Sequence, residues 1–265
     1  MINEKPPNSL PYQTIHRPKS NIILLCDHSS SYIPVKYSNL GLSESLLNKH
    51  IAYDIGAYGL THSMASLLGA NAIFSYFSRL LIDPNRGIDD PTLIMKFADQ
   101  HIIPGNRSID KSEFNKRKRN FYVPYHNQIE IMINTIIQRG FVPIIISMHS
   151  FTRIFRNNIR PWEVSILWDK DNRVSEPLIN LLENDNKYKI GDNEPYIGYL
   201  RGDTLNKHAT TQGIPHALIE VRNDLINNHK KQKQIALYLS EKLQKVLDIN
   251  RSEINKIKKF GTKSI

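Results

Sequence analysis

NIILLC at 21–26 runs apolar without a break and then turns polar at Asp27 and His28. A short, isoleucine- and leucine-rich run bounded by polar residues reads as a strand buried on both faces, delivering Asp27 and His28 to its carboxyl end. FVPIIISM at 141–148 repeats the arrangement and delivers His149. In open α/β sheets, ligands collect beyond the carboxyl ends of the strands, where side chains from separate strands converge. Two histidines so placed mark that end of the sheet as the expected site of chemistry.

Working outward, strand-like and helix-like stretches alternate. Residues 43–68 carry apolar side chains at helical spacing through Ile51, Ile55, Leu60, Met64 and Leu67, with Ser43 as a cap, and predict one helix. Residues 71–82 read as a strand or strand pair ending in Asp83-Pro84-Asn85-Arg86. Residues 87–120 are polar and irregular, with Pro91, Pro104 and Gly105, and predict an active-site loop or lid. An amphipathic helix follows at 125–139, closed by Gly140. Further strands are expected at 163–168 (EVSILW) and 216–221 (HALIEV), and further helices at 176–184 and about 231–247. No repeat at a period of about 20–50 residues argues for a solenoid or propeller. The alternation predicts a three-layer α/β/α sandwich. We expect an irregular N-terminal arm at 1–20, a single domain over 21–248 and a basic tail over 249–265.

The 265 residues are 40% apolar and 23% charged, a composition that suits a globular chain and excludes a disordered or fibrous one. No stretch approaches the roughly 18 consecutive apolar residues of a membrane span, so no membrane association is expected. The first twenty residues hold Pro6, Pro7, Pro11 and Pro18 and no run of the kind an export signal needs. The single cysteine, Cys26, excludes an intrachain disulfide framework and fits a reducing, cytoplasmic setting. A net charge of +10 suits an anionic small molecule or nucleic acid. Much of it lies in Lys116, Arg117, Lys118 and Arg119 and in the stretch 242–263. No recognisable nucleic-acid motif accompanies this charge. Solvated lysine is therefore the reading, and a nucleic-acid-binding protein the alternative.

The residues that carry chemistry surround the strand ends. Imidazole is a good zinc ligand, and catalytic zinc uses three protein ligands with a fourth position open, so His28 and His149 are candidate ligands. There is no HExxH helix and no paired-cysteine motif. Asp54, in AYDIG at 52–56, is the candidate third ligand, because an acid among apolar helical positions is costly to bury without a cation. An exposed acid on a polar face is the competing reading. In SRLLIDPNR at 78–86, Arg79, Asn85 and Arg86 suit an acidic substrate, since a guanidinium grips a carboxylate by two parallel hydrogen bonds. Arg79 also reads as a surface arginine. Glu220, inside ALIEVR at 217–222, would have its pKa raised by burial, as a general base that activates water requires; a salt bridge to Arg222 is the alternative.

With these motifs assembled, the chain resembles the N-formylglutamate amidohydrolase family from about Ile22 to Leu247. The resemblance rests on CDHSS at 26–30, YDIGA at 53–57, SRLLIDPNR at 78–86, YVPYH at 122–126, SMHSFT at 147–152 and IEVRNDLI at 219–226. Six motifs in one order are specific where any one would be weak. More distantly the chain resembles the zinc carboxypeptidases and the aspartoacylase and succinylglutamate desuccinylase group. The resemblance implies a zinc-carboxypeptidase-like (phosphorylase/hydrolase-like) fold with a mixed, mostly parallel sheet, and one zinc ion per chain. It makes His28 and His149 metal ligands, Asn85 and Arg86 carboxylate binders, and Glu220 the general base; the mechanism that follows leaves the tetrahedral oxyanion to zinc and a neighbour, Arg79 or Ser150. The relatives pair the first histidine with a glutamate three positions on, where this chain has Ser31. His126 and His208 fall in stretches similar to the family pattern; they are candidates to orient substrate or complete the site, with a structural role as the alternative for each. The implied reaction is hydrolysis of an N-acyl amino acid, with N-formyl-L-glutamate giving formate and glutamate as the named case. A catalytically inactive relative that binds an acidic ligand is a further alternative.

Overall fold

The structure, a computed structural model, describes residues 10–264. Its centre is a seven-stranded sheet. In chain order the strands are β1 (Tyr12–Ile15), β2 (Ile22–Cys26), β3 (Asn71–Ser75), β4 (Ile144–Phe151), β5 (Val164–Leu167), β6 (Ile190–Asp192) and β7 (His216–Arg222). Across the sheet they lie in the order β1-β3-β2-β4-β7-β5-β6. The central four, β3, β2, β4 and β7, run parallel. β1 pairs antiparallel with β3 and β5 antiparallel with β7, so the sheet is mixed and mostly parallel.

Strand side chains alternate between faces, and that alternation divides the core in two. Ile22, Leu24, Cys26, Ile146, Met148, Ala217, Ile219 and Val221 pack on one side with helices α1 (Ala57–Leu67), α3 (Ser175–Asn184) and α5 (His229–Ile249). Ile23, Leu25, Ile145 and Leu218 pack on the other with Tyr125, Ile129, Met132, Ile133 and Ile136 of α2 (Val123–Gln138). A short helix, α4 (Thr204–His208), precedes β7. The layered α/β/α architecture agrees with the sequence reading. Among the described residues, no helix is long and apolar enough to cross a membrane.

Several expectations change in detail. The helix expected over 43–68 is broken: a single turn at Glu44–Leu47 and then α1 are separated by an irregular stretch. Gly56, just before α1, has φ +84°, and a Cβ there would stand 2.2 Å from the carbonyl oxygen of Ile226. The chain must leave helical geometry at this point, which puts Asp54 in a turn rather than on a helix. β3 stops at Ser75, and residues 76–82 are buried turns. Residues 12–15, expected in an irregular arm, form the edge strand β1; residues 1–9 of that arm lie outside the described residues. β4 starts at Ile144 and continues through Phe151, so His149 lies within the strand rather than after it.

The expected lid is anchored. Asp110 caps a helix at Lys111–Arg117 by accepting from Glu113 N–H, and this helix continues through a π turn into α2. Arg117, counted above with the basic cluster, is buried and donates to Leu81 O (3.0 Å), Asn106 Oδ1 (2.7 Å) and Glu113 Oε1 (2.9 Å). The basic tail also returns to the body: Lys258 N–H donates to Gly213 O and Lys263 N–H to Asp169 Oδ1.

Candidate metal centre and active site

β4 and β7 lie side by side with His149 opposite Glu220 in the parallel register. Met148 and Ile219 face the α1 and α5 side, so the pleat turns Ser147, His149 and Glu220 to the opposite side. His28 stands two residues past the end of β2, the strand on the other flank of β4. Asp54 is tied into the same place by its own N–H, which donates to His28 O at 2.9 Å. Three separate segments thus deliver His28, Asp54 and His149 to one point.

One donor atom from each of these residues lies within 4.8 Å of the other two, and all three residues are buried. Asp54 Oδ2 is 2.9 Å from His149 Nδ1 and 3.4 Å from His28 Nδ1. His28 Nδ1 is buried without a hydrogen-bond partner. The far nitrogens are held by acids: His28 Nε2 is 2.7 Å from Asp83 Oδ1, and His149 Nε2 is 3.3 Å from Asp27 Oδ2 and 3.1 Å from Ser147 Oγ. A carboxylate on the far nitrogen fixes a metal-binding imidazole's tautomer and raises its basicity. Two imidazole nitrogens and a carboxylate, with one nitrogen left orphaned, fit a divalent ion such as zinc.

Electrostatics reinforce the arrangement. Burial pushes the Asp54 carboxyl up, but His28 and His149 outweigh it and hold Asp54 ionised. Burial likewise opposes ionisation of Asp83, and Arg79 and His28 outweigh it, keeping the carboxyl well below its ordinary range. His149 is raised well above the usual imidazole value, since Asp27 and Asp54 overcome the effect of burial. Glu220 goes the other way: burial lifts it to about 7, only partly offset by His149. Its Oε2 is buried without a partner, and Arg222 is engaged by Asp224 (2.7 Å) and Glu163 (3.3 Å) rather than by Glu220.

A cavity of about 480 Å³ opens over these groups. It is lined by His28, Asp54, His149, Glu220, Arg79, Asn85 and Arg86, together with Asp203 and an apolar wall. Arg79 ion-pairs with Asp83 (2.9 Å) and Asp54 (3.6 Å), and it is not a free surface arginine. Asn85 Oδ1 accepts from Thr204 N–H (3.0 Å). Arg86 Nη1 donates to Asn85 O (2.8 Å) and Nε to Thr92 Oγ1 (3.2 Å), neither an acid. Asp203 caps α4 by accepting from Asn206 N–H, and burial raises its carboxyl to about 7.

His126 and His208, candidates to orient substrate, do not line the cavity. They pair with each other behind it, His126 Nδ1 to His208 Nε2 at 2.8 Å, and His126 Nε2 is 3.0 Å from Pro84 O. Burial depresses both, His126 well below the usual imidazole value and His208 to about 4, so the pair is neutral at pH 7 and braces the turn that carries Asn85 and Arg86. Asp27 and Asp83 were given no role by the sequence reading. Both are fully buried. Asp27 accepts from Tyr125 O–H (2.7 Å) and Thr204 O–H (3.0 Å) as well as facing His149. The cost of burying an acid, the argument that singled out Asp54, applies equally to these two beside apolar strands and was the signal available.

The model of the N-formylglutamate amidohydrolase family matches residues 20–227. Among solved structures, the gene product Atu2144 from Agrobacterium tumefaciens superposes with a TM-score of 0.87 at 31% identity, covering 91% of this chain and 96% of that one. An N-formylglutamate amidohydrolase from Ralstonia eutropha JMP134 superposes with a TM-score of 0.64 at 18% identity, covering 92% and 99%, a likeness of fold. A comparison with curated proteins finds no match. The family model spans most of the chain and includes every residue of the buried site, and the chain belongs to the N-formylglutamate amidohydrolase family.

Proposed function

We propose that this amidohydrolase is metal-dependent and cleaves the amide bond of an N-acyl amino acid. The observation that carries the reading is the orphaned Nδ1 of His28, set with Asp54 and His149 in the cavity that also holds the unpartnered Oε2 of Glu220. His28, Asp54 and His149 would hold one zinc or similar divalent ion. Such an ion, when bound, supplies Lewis-acid chemistry, polarising a carbonyl and acidifying water.

The chain's own groups supply the rest. Glu220, lifted to about 7 by burial, takes a proton from the attacking water and returns it to the leaving amine. Arg86 binds the substrate α-carboxylate through its planar fork, and Asn85, its Oδ1 occupied by Thr204, offers its amide N–H groups beside it. Arg79 is a positive charge held beside the reacting carbonyl by Asp83 and Asp54. Asp83 and Asp27 orient the two imidazoles. The family's name nominates N-formyl-L-glutamate as substrate.

Metal content and hydrolysis of N-acyl amino acids test the reading, with Glu220→Gln as the probe. The variant should retain wild-type metal and lose turnover by about 10²-fold or more. Full activity in Glu220→Gln would remove Glu220 as the base, and a metal-free, active wild type would remove the metal.

A further inference from the structure

Substrate selectivity is written in how the cavity's charges are already spent. Among the described residues, the arginines and lysines on its wall are two, Arg79 and Arg86. Arg79 stands between two carboxylates, Asp83 at 2.9 Å and Asp54 at 3.6 Å, so its charge is balanced from within the protein. Arg86 is bound to a carbonyl and a hydroxyl, and no ion pair among the described residues engages it. One free guanidinium can anchor one carboxylate. Apart from Ser150 and Asn85, the rest of the lining is largely apolar: Leu167, Pro195, Tyr196, Ile197, Leu200 and Leu218. Tyr196 and Ile197 are 43% and 52% exposed, large apolar surfaces left for a ligand to cover. A third arginine, Arg160, lies nearby but off the wall; it is 8% exposed and its guanidinium stacks on Phe155 (4.7 Å) and Tyr196 (5.0 Å). The other acids on the wall, Asp54, Asp203 and Glu220, bring no positive charge to a second carboxylate.

Resting on the N-acyl amino acid reading above, we infer that the preferred substrate carries one carboxylate and an apolar side chain. It is the N-acyl derivative of an apolar amino acid rather than of glutamate. With its α-carboxylate on Arg86, an N-acylglutamate would press its second carboxylate against the wall of Leu218, Ile197 and Leu200, losing water without gaining a cation. A methionine or leucine side chain covers the same wall with no such loss.

The test compares kcat/KM for N-formyl-L-methionine, N-formyl-L-leucine and N-formyl-L-glutamate on the wild-type holoenzyme. Calorimetric binding of the same three compounds to Glu220→Gln gives a second readout. The apolar substrates should lead glutamate by about tenfold or more in both, the scale of one unmatched charge-assisted contact. Ile197→Arg, on the exposed rim, adds a cation to the apolar wall and should move the ratio toward glutamate. Equal or better use of N-formyl-L-glutamate overturns the inference while leaving the amidohydrolase reading intact, as does an unchanged ratio in Ile197→Arg. Hydrolysis of none of the three overturns the amidohydrolase reading instead, and the binding order then decides the inference alone.

Discussion

The two faces of the central sheet are built from the same strands and differ by one residue of register. On the α1 and α5 side, Met148 and Ile219 are fully buried among apolar neighbours. One position along each strand, His149 and Glu220 are also buried, yet they face a histidine, two aspartates and an arginine. Burial does opposite work on the two sides. On the apolar face it removes hydrocarbon from water and stabilises the fold. On the other it strips water from charged groups, which shifts their pKa values and leaves His28 Nδ1 and Glu220 Oε2 without partners. The α1, α3 and α5 side is apolar along the strands, while the α2 side, apolar at the start of the strands, carries the chemistry toward their carboxyl ends.

The largest effect that would break this division comes from neighbours on β4. His149→Ala should abolish metal binding and lower activity by about 10³-fold or more, and it costs some stability as well because buried Asp27 and Asp54 lose a partner. Met148→Ala should keep metal and chemistry and lose about 2–5 kcal/mol of stability. Metal analysis and denaturant unfolding on the two variants read both axes. If Met148→Ala loses the metal as fully as His149→Ala does, the two faces are not separable.

A smaller effect sharpens the role of the acids behind the ligands. Asp83→Asn keeps size but removes the carboxylate from His28 Nε2, and should weaken metal affinity about 10- to 100-fold while the protein stays folded. Competition with a chelator measures it, with circular dichroism as the control for folding. An unchanged affinity would reduce Asp83 to a partner of Arg79.

The smallest effect concerns Asp203, on the rim of the charged face. Its folded-state value, about 7, lies above the ordinary 3.8, so the folded protein binds more protons than the unfolded chain between those values, and stability falls as pH rises through that window. Asp203→Asn keeps an amide oxygen that can cap α4 and removes the penalty. The variant should gain on the order of 1–3 kcal/mol over wild type at pH 8 and much less at pH 4. A difference in thermal stability that does not vary with pH would show that Asp203 is not held against ionisation.

What the sequence determined by itself was the strand pattern and the residues it delivers. NIILLC and FVPIIISM are short, isoleucine-rich apolar runs that suit a doubly covered strand, and they carry His28 and His149 with them. The layered fold, the ligand candidates and the placement of Glu220 in a strand were legible because each depends on local composition. The tertiary structure decided the rest, because it depends on which atoms meet across the sheet. The break before α1 follows from Ile226 standing where a side chain at Gly56 would go, and periodicity alone ran a helix through it. Asp27 and Asp83 are partners of histidines 122 and 55 residues away; their place beside apolar runs hints at burial, but nothing local says which histidine each meets. For His126 and His208, 82 residues apart, the sequence left a substrate contact and a structural role both open, because a polar residue in a motif-like stretch suits either. Packing of α2 against α4 sends them behind the wall, where they face each other and Pro84 O instead.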